Sequence, residues 1–159
     1  MNKNTIMVNK LNTIAHILFA NILLQHYPGD ITIVQSLLVS FSSVAVDLDH
    51  IPKLDNLRRN KRFGPGSRSL WHELPGLLVT SLISFIIMLI SEAMGRMLLI
   101  GFVSHYFLDM LTRPTRPFYP LTDTTIFLKL APRKLSNVML YDLIITFILG
   151  LVFYWNPSV

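Results

Sequence analysis

Five long apolar stretches separated by polar segments dominate the sequence. They cover residues 11–24, 31–46, 74–90, 97–111 and 138–155. Each stretch is apolar over most of its length, which is typical of buried or membrane helices rather than of amphipathic surface helices. A membrane span usually needs about 20 apolar residues, so the first two stretches are short for that purpose. The pattern predicts an all-α fold, a polytopic membrane helix bundle with about five transmembrane helices.

The composition supports a single domain in an apolar environment. The chain has 159 residues, of which 52% are hydrophobic and 14% charged, and its mean hydropathy is +0.50. Soluble domains carry about 25% charged residues, so this balance favours a membrane. The length suits one domain spanning residues 1–159. The absence of cysteine excludes disulfides, thiolate metal sites and a cysteine nucleophile.

The positive charge follows the apolar stretches instead of forming one basic run. The net charge is +5. If all five stretches cross the membrane, every basic residue except Arg96 lies on the side of the N-terminus. This asymmetry predicts an N-in/C-out topology in the cell membrane, with the lipid bilayer as partner. No nucleic acid is expected to bind.

His and Asp residues occur at matching ends of these apolar stretches. Ionisable groups are costly in such surroundings and mark function by default. His105 and Asp109 are four residues apart and share a helix face. Asp47 and Asp49 diverge on a regular helix, so we expect the second helix to unwind before Pro52. The predicted metal ligands are His16, Asp47, Asp49, His72, His105 and Asp109.

Six ligands of the His and Asp types exceed the needs of one ion. We expect two divalent ions, with Zn²⁺ as the first choice and Mn²⁺ or Fe²⁺ as alternatives. A simpler interpretation of His105 and Asp109 is a hydrogen-bonded pair between helices, and His16 is compatible with a satisfied core histidine. His50 is equally compatible with a ligand and with a residue that orients one. His26 and Glu92 are expected at the opposite end of the bundle.

Three motifs resemble the YdjM-like membrane-bound metal-dependent hydrolases. They are residues 15–19 (AHILF), residues 46–52 (VDLDHIP) and residues 101–112 (GFVSHYFLDMLT), the last resembling a G-x-x-S-H-x-x-x-D-x-x-T pattern. Before the third helix the family reads H-R-G-x-T-H-S, whereas this chain has SRSLWHE at residues 67–73. Arg68 and His72 fit that pattern. Glu73 stands where the family has Ser and is expected to substitute for it.

The resemblance implies a metal-dependent hydrolase. The family is distantly similar to zinc phospholipases C and related zinc nucleases, which points to phosphoester hydrolysis by a metal-activated water. The expected substrate is a phospholipid or another lipid phosphoester, cleaved at the cytoplasmic face. The predicted catalytic residues are Glu73, Arg68 and Arg113, although the arginines are equally compatible with membrane anchors. The alternatives are a metal-binding or transport protein without hydrolase activity and a protein whose metal only links the helices.

Overall fold

The computed structural model describes residues 3–50, 70–112, 115–126 and 135–155, with only the backbone for residues 3–12, 49, 50, 70, 135–139 and 142. Its elements are five α-helices and two short 3₁₀ helices. The α-helices are α1 (Lys3–Gln25), α2 (Ile33–Ala45), α3 (Leu74–Ile90), α4 (Glu92–Thr112) and α5 (Leu135–Trp155). The 3₁₀ helices are Val46–His50 after α2 and Leu70–His72 before α3. The prediction of an all-α fold with five helices is confirmed.

Local sequence signals set the ends of the second helix. Thr32 caps α2: its side chain accepts a hydrogen bond from the Gln35 backbone N–H, and the Gln35 side-chain oxygen accepts one from the Thr32 backbone N–H. This reciprocal capping satisfies two backbone donors that would otherwise lack partners. At its other end α2 gives way at Val46 to the 3₁₀ helix that carries Asp47. The α-helix therefore ends before Asp47, but the residues that follow form a tighter 3₁₀ helix and not the unwound end that was predicted.

Helix α4 lies at the centre of the bundle and packs against α1, α2 and α3. Its contact with α2 is very close at Gly101, where an added Cβ would lie 2.6 Å from the carbonyl oxygen of Val39. Helix α1 packs against α2, α4 and α5. The buried hydrophobic cluster where α1, α2 and α4 meet consists of Ala20, Leu24, Val39 and Met97. Small residues at such crossings allow backbones to approach closely.

The predicted stretches agree with the helices except at the start of α1, and this difference changes the position of His16 in its helix. Residues 74–90 match α3 at both ends, and the other stretches lie within or close to their helices. Helix α1 begins at Lys3 rather than near residue 11. His16 consequently lies in the middle of α1 and not in its first turns. The early start was missed because the polar residues of this segment hide the helix from a hydropathy pattern.

The prediction of a polytopic transmembrane bundle with N-in/C-out topology is wrong. Within the described ranges, no helix is both long enough and apolar enough to cross a membrane. Helices α2 and α3 contain 13 and 17 residues, fewer than the roughly 20 that a span needs. Helix α4 includes Glu92, Arg96 and Asp109. The hydropathy of these stretches was misleading because it shows that a segment is apolar but not that its helix is long enough to span.

Polar and apolar side chains are distributed unevenly between the interior and the surface. Buried polar side chains on α2, α3 and α4 include Ser42, Ser43, Thr80, Ser84 and Ser104. Their hydroxyls donate to carbonyls three or four residues earlier on their own helices. Large apolar side chains on α2, α3 and α5 are exposed instead. An outer surface of this kind marks contact with a membrane or with another protein.

Candidate metal centre

Three buried side chains from α1 and α4 form the first group of candidate ligands. His16, His105 and Asp109 are at most 4% exposed. The Nε2 atom of His16 lies 3.6 Å from Oδ1 of Asp109, and Nε2 of His105 lies 3.8 Å from Oδ2 of the same carboxylate. These separations are too long for hydrogen bonds. The three side chains therefore face one another across a small gap.

The orientation of His105 is set by the close crossing of α2 and α4. Its Nδ1–H donates to the carbonyl oxygen of Ser43 at 2.7 Å. Gly101, one helical turn before His105, allows that approach of α2. With the proton held on Nδ1, the lone pair of Nε2 points to the gap, the arrangement found for metal-ligating histidines. Burial lowers the pKa of His105 to about 4, so its ring is neutral at neutral pH.

His16 makes no side-chain hydrogen bond in the part of the chain that the structure describes. Its ring is fully buried and stacks on the ring of His105, with centroids 4.0 Å apart and planes 15° apart. Neither ring nitrogen of His16 has a hydrogen bond to a described residue, and the same is true of Nε2 of His105. Leaving buried polar atoms without partners costs about 1–3 kcal/mol each. A bound cation would remove that cost for the Nε2 atoms of His16 and His105.

Asp47 and His72 form a second group with His105. The Nε2–H of His72 donates to Oδ1 of Asp47 at 3.1 Å, and Nε2 of His105 lies 3.9 Å from the same oxygen. Burial by itself would raise the pKa of Asp47, but the hydrogen bond from His72 and the nearby His105 and His16 give a net lowering. Asp47 is thus held as a carboxylate, the form that binds metal.

The described donor atoms fit a divalent metal. In each group of three residues, one nitrogen or carboxylate oxygen from every side chain lies within 4.8 Å of those from the other two. Tetrahedral ligands with bonds of about 2.1 Å are about 3.4 Å apart, close to the separations of 3.6 and 3.8 Å around Asp109. Both groups require Nε2 of His105, which can bind only one ion. Two ions would therefore divide these ligands unequally.

Glu73 lies beside the centre and contacts a different part of the chain. Its side chain is fully buried, and Oε2 accepts a hydrogen bond from the backbone N–H of Arg116 at 3.0 Å. The Arg116 Nε atom is 3.5 Å from Oε1 of Glu73, and its guanidinium carbon lies 4.1 Å from the centroid of the Tyr119 ring. Glu73 therefore holds the 115–126 segment and one cationic side chain against the start of α3.

The structure brings together all the predicted metal ligands whose side chains it describes. These are His16, Asp47, His72, His105 and Asp109. For Asp49 and His50 only the backbone is described, within the helix Val46–His50. Arg68 and Arg113 lie outside the described residues, so their predicted catalytic roles stay predictions. Glu73 is next to the centre in sequence but belongs to neither group, and its predicted catalytic role also stays a prediction.

His26 and Glu92 occupy the opposite end of the bundle, as expected. Arg96, which pairs with Glu92 in the first turns of α4, also donates to the hydroxyl of Tyr27, the neighbour of His26. His105 lies about 13 residues further along α4, a distance of about 20 Å at the rise of an α-helix. The two ends of the bundle are therefore separated by most of the length of α4.

Several contributing groups were not identified from the sequence. The Ser43 carbonyl is a backbone atom and carries no sequence signal, although Gly101 in the G-x-x-S-H motif marks a close helix contact next to His105. The pairing of Arg116 with Glu73 joins residues 43 positions apart. Tyr106 donates to the carbonyl of Trp71 and lies against His105. Such long-range contacts depend on how helices pack, which sequence spacing does not show.

Comparison with known proteins gives one match that covers nearly the whole chain. The family model described as YdjM inner membrane protein matches residues 11–158, a range that includes all the candidate ligands. No curated protein and no solved structure gives a significant match. The matched family is described as an inner membrane protein, which supports a membrane location. The chain belongs to the YdjM inner membrane protein family.

Proposed function

We propose that this protein is a divalent-metal-dependent hydrolase that cleaves a phosphoester, with a lipid phosphoester as its substrate. The observation that carries the proposal is the pair of buried histidines, His16 and His105, whose Nε2 atoms face Asp109 without hydrogen bonds to described residues. A purely structural histidine pair would be expected to satisfy these nitrogens within the protein. Their arrangement favours a cation as the missing partner.

The residues that would hold the first ion are His16, His105 and Asp109, and Asp47 with His72 would hold a second. A divalent ion there supplies Lewis acidity and a water with a pKa lowered towards 7. Zn²⁺ suits imidazoles combined with a carboxylate, and Mn²⁺ or Fe²⁺ can also bind such mixed nitrogen and oxygen ligands. Two ions with the carboxylates of Asp47 and Asp109 leave a positive site, which favours a phosphate group.

The remaining residues of the site have positioning and charge-stabilising roles in this proposal. Ser43 orients His105 through its carbonyl oxygen, so the ligand does not rotate when substrate arrives. Glu73 holds Arg116, whose side chain is 18% exposed, at the edge of the centre. A guanidinium with several donors is suited to binding the oxygens of a phosphate as negative charge develops. Glu73 acts as a positioning residue for Arg116.

The lipid character of the substrate and the side of the membrane are further parts of the proposal. The protein belongs to an inner membrane family, and its outer helix faces are apolar. Basic residues flank the candidate ligands along the sequence, and the anionic cytoplasmic leaflet attracts such residues. Because the chain lacks cysteine, Asp123→Cys gives a single label site on the exposed segment. Labelling of intact cells only after permeabilisation is expected, and direct labelling would contradict this orientation.

The hydrolase proposal is tested by measuring metal content and phosphate release on the same preparations. Asp109→Asn is compared with Glu92→Gln, since both replace an acidic residue of α4 by its amide, at opposite ends. The wild type and Glu92→Gln are expected to retain metal and to release phosphate or a phosphorylated headgroup from a lipid panel. Asp109→Asn should lose both, and chelation should abolish wild-type turnover reversibly.

Two results would contradict this proposal. Turnover that survives chelation would remove the metal from the chemistry. Metal that stays bound, without turnover of any lipid or soluble phosphoester, would favour a metal-binding protein instead.

A further inference from the structure

A pocket of about 200 Å³ lies between α3, α4 and the segment that follows α4. Its wall is largely apolar and includes Leu74, Leu77, Val103, Phe107, Met110 and Pro117. Val103 and Phe107 are 43% and 46% exposed, so the pocket opens on the outer surface of the bundle. The exposed face of α3 next to it is also apolar and includes Leu78 and Leu82. An apolar group can therefore enter without crossing a polar rim.

The pocket residues with polar groups are His72, Glu73, Tyr106 and Thr115, and the Tyr106 hydroxyl donates to the carbonyl of Trp71. Glu73 and Thr115 lie close to each other, because Arg116, which follows Thr115, donates its backbone N–H to the Glu73 carboxylate. Thr115 is only 4% exposed, and its hydroxyl has no hydrogen bond to any described residue. A buried hydroxyl without a partner is costly, and a ligand with an oxygen atom at this place would satisfy it.

His72 connects the pocket to the metal centre. Its Nε2 is bonded to Asp47, and its ring lies 5.5 Å from that of His105, while the same side chain forms part of the pocket wall. His72 is thus shared by the pocket wall and the candidate metal centre. His72 and its neighbour Glu73 mark the side of the pocket that is nearest to the candidate ligands.

We infer that this pocket binds a single apolar chain of the substrate, with the polar head of that chain at Thr115 and His72. The inference rests on the proposed function and specifies its substrate class as a phosphate ester with one inserted alkyl or acyl chain. Pockets for drug-sized ligands measure about 300–1,000 Å³, so a pocket of about 200 Å³ has room for part of one chain and not for two. The selectivity for chain length is then set by Leu77 and Val103.

Binding of butyl, octyl and dodecyl phosphate to the zinc-loaded protein tests the inference directly. In the wild type, affinity is expected to rise from butyl to octyl phosphate by at least about tenfold, because each buried methylene contributes about 0.8 kcal/mol. Leu77→Phe fills the pocket and should reduce this ratio of affinities by about tenfold. Leu78→Phe makes the same change on the neighbouring exposed residue and should leave the ratio unchanged. Equal ratios in the two variants would overturn the inference.

The role of Thr115 is tested separately with Thr115→Val, which removes the hydroxyl and keeps the side-chain shape. Because the Thr115 backbone pairs with Ile126, the segment retains its anchor in this variant. Affinity for all three alkyl phosphates is expected to fall by a similar factor of about 5–10. A loss that grows with chain length, or no loss, would contradict the placement of the polar head.

The binding experiment distinguishes this inference from the proposed function. Chain-dependent binding without hydrolysis of any phosphoester would support the pocket and contradict the hydrolase proposal. Hydrolysis with the same chain-length ratio in Leu77→Phe and in the wild type would support the hydrolase and contradict the pocket assignment.

Discussion

The two ends of α4 carry similar types of residue in different surroundings. At the N-terminal end Glu92 and Arg96 form an ion pair with side chains 66% and 45% exposed. Arg96 also donates to the hydroxyl of Tyr27, and His26, with its Nδ1 bonded to the carbonyl of Ile22, is likewise exposed. These groups satisfy one another or contact solvent, and exposed pairs of this kind contribute about 0–1 kcal/mol.

At the C-terminal end the acidic and histidine side chains are buried. His16, His105 and Asp109 face one another at distances that exceed hydrogen bonding, and three histidine nitrogens there have no described hydrogen-bond partner. A buried constellation with this many unsatisfied atoms is expensive in a structural core. The comparison shows that residue type alone does not define a site: buried polar atoms without hydrogen bonds distinguish the candidate metal centre from an ordinary polar end.

The largest effect expected from this difference concerns the two histidines His105 and His26. His105→Ala removes a candidate ligand. Replacing a residue that only orients a ligand lowers metal affinity by about 10–100-fold, so the loss of the ligand itself should lower it at least as much. We expect His105→Ala to weaken zinc binding by at least about 100-fold in a competition titration with a chelator. His26→Ala is the matched control and should bind zinc as the wild type does. Equal affinities in the two variants would remove the distinction between the two ends.

A second prediction compares two helical glycines, Gly101 and Gly150. A Cβ at Gly101 would collide with Ser42 and the Val39 carbonyl, whereas nothing lies within 4 Å of a Cβ at Gly150. Gly101→Ala should lower the free energy of unfolding by about 1–3 kcal/mol through overpacking. Gly150→Ala should raise it by about 0.5–1 kcal/mol because alanine favours the helix. Chemical denaturation measures both changes.

The same pair of glycine variants sharpens the account of the site. Displacement of α2 by Gly101→Ala would draw the Ser43 carbonyl away from His105, so zinc affinity should fall by about 10–100-fold. Gly150→Ala should leave zinc affinity unchanged. A destabilised Gly101→Ala protein that still binds zinc with wild-type affinity would show that the Ser43 contact does not orient the ligand.

A third prediction compares the two carboxylates that approach Arg116. Glu73 is buried and accepts the Arg116 backbone N–H, whereas Asp123 is 85% exposed and lies 3.6 Å from Nη1. Glu73→Gln should destabilise the protein by about 1–3 kcal/mol, because a hydrogen bond to a charged acceptor is weakened in the interior. Asp123→Asn should change stability by less than about 0.5 kcal/mol. Thermal unfolding measures both changes. Similar losses of stability in the two variants would contradict the role given to Glu73.

The smallest effect is expected at the N-terminal end of α4. Arg96→Ala removes an exposed ion pair and the contact with Tyr27, so the free energy of unfolding should fall by at most about 1 kcal/mol. Zinc content should not change. A measurable loss of zinc in Arg96→Ala would show that the two ends of α4 are coupled, contrary to the separation described above.

Much of the fold and the clustering of the candidate ligands could be predicted from the sequence. The apolar stretches located all five helices, and the spacing of His105 and Asp109 placed both on one helix face. Membrane crossing was predicted wrongly, since the hydropathy of a stretch such as 74–90 does not show that its helix of 17 residues is too short to span. The Ser43 carbonyl and the Glu73–Arg116 pair were missed because they depend on the register between elements distant in sequence.

X-ray absorption spectroscopy of the zinc-loaded protein tests the central claim most directly. At one zinc per chain, the account predicts two imidazole nitrogens and at least one carboxylate oxygen at about 2.0–2.1 Å. The imidazole signal should be halved in His16→Ala and unchanged in His26→Ala. Zinc coordinated mainly by water oxygens, or a spectrum that is the same in the wild type and in His16→Ala, would contradict a metal centre built from His16, His105 and Asp109.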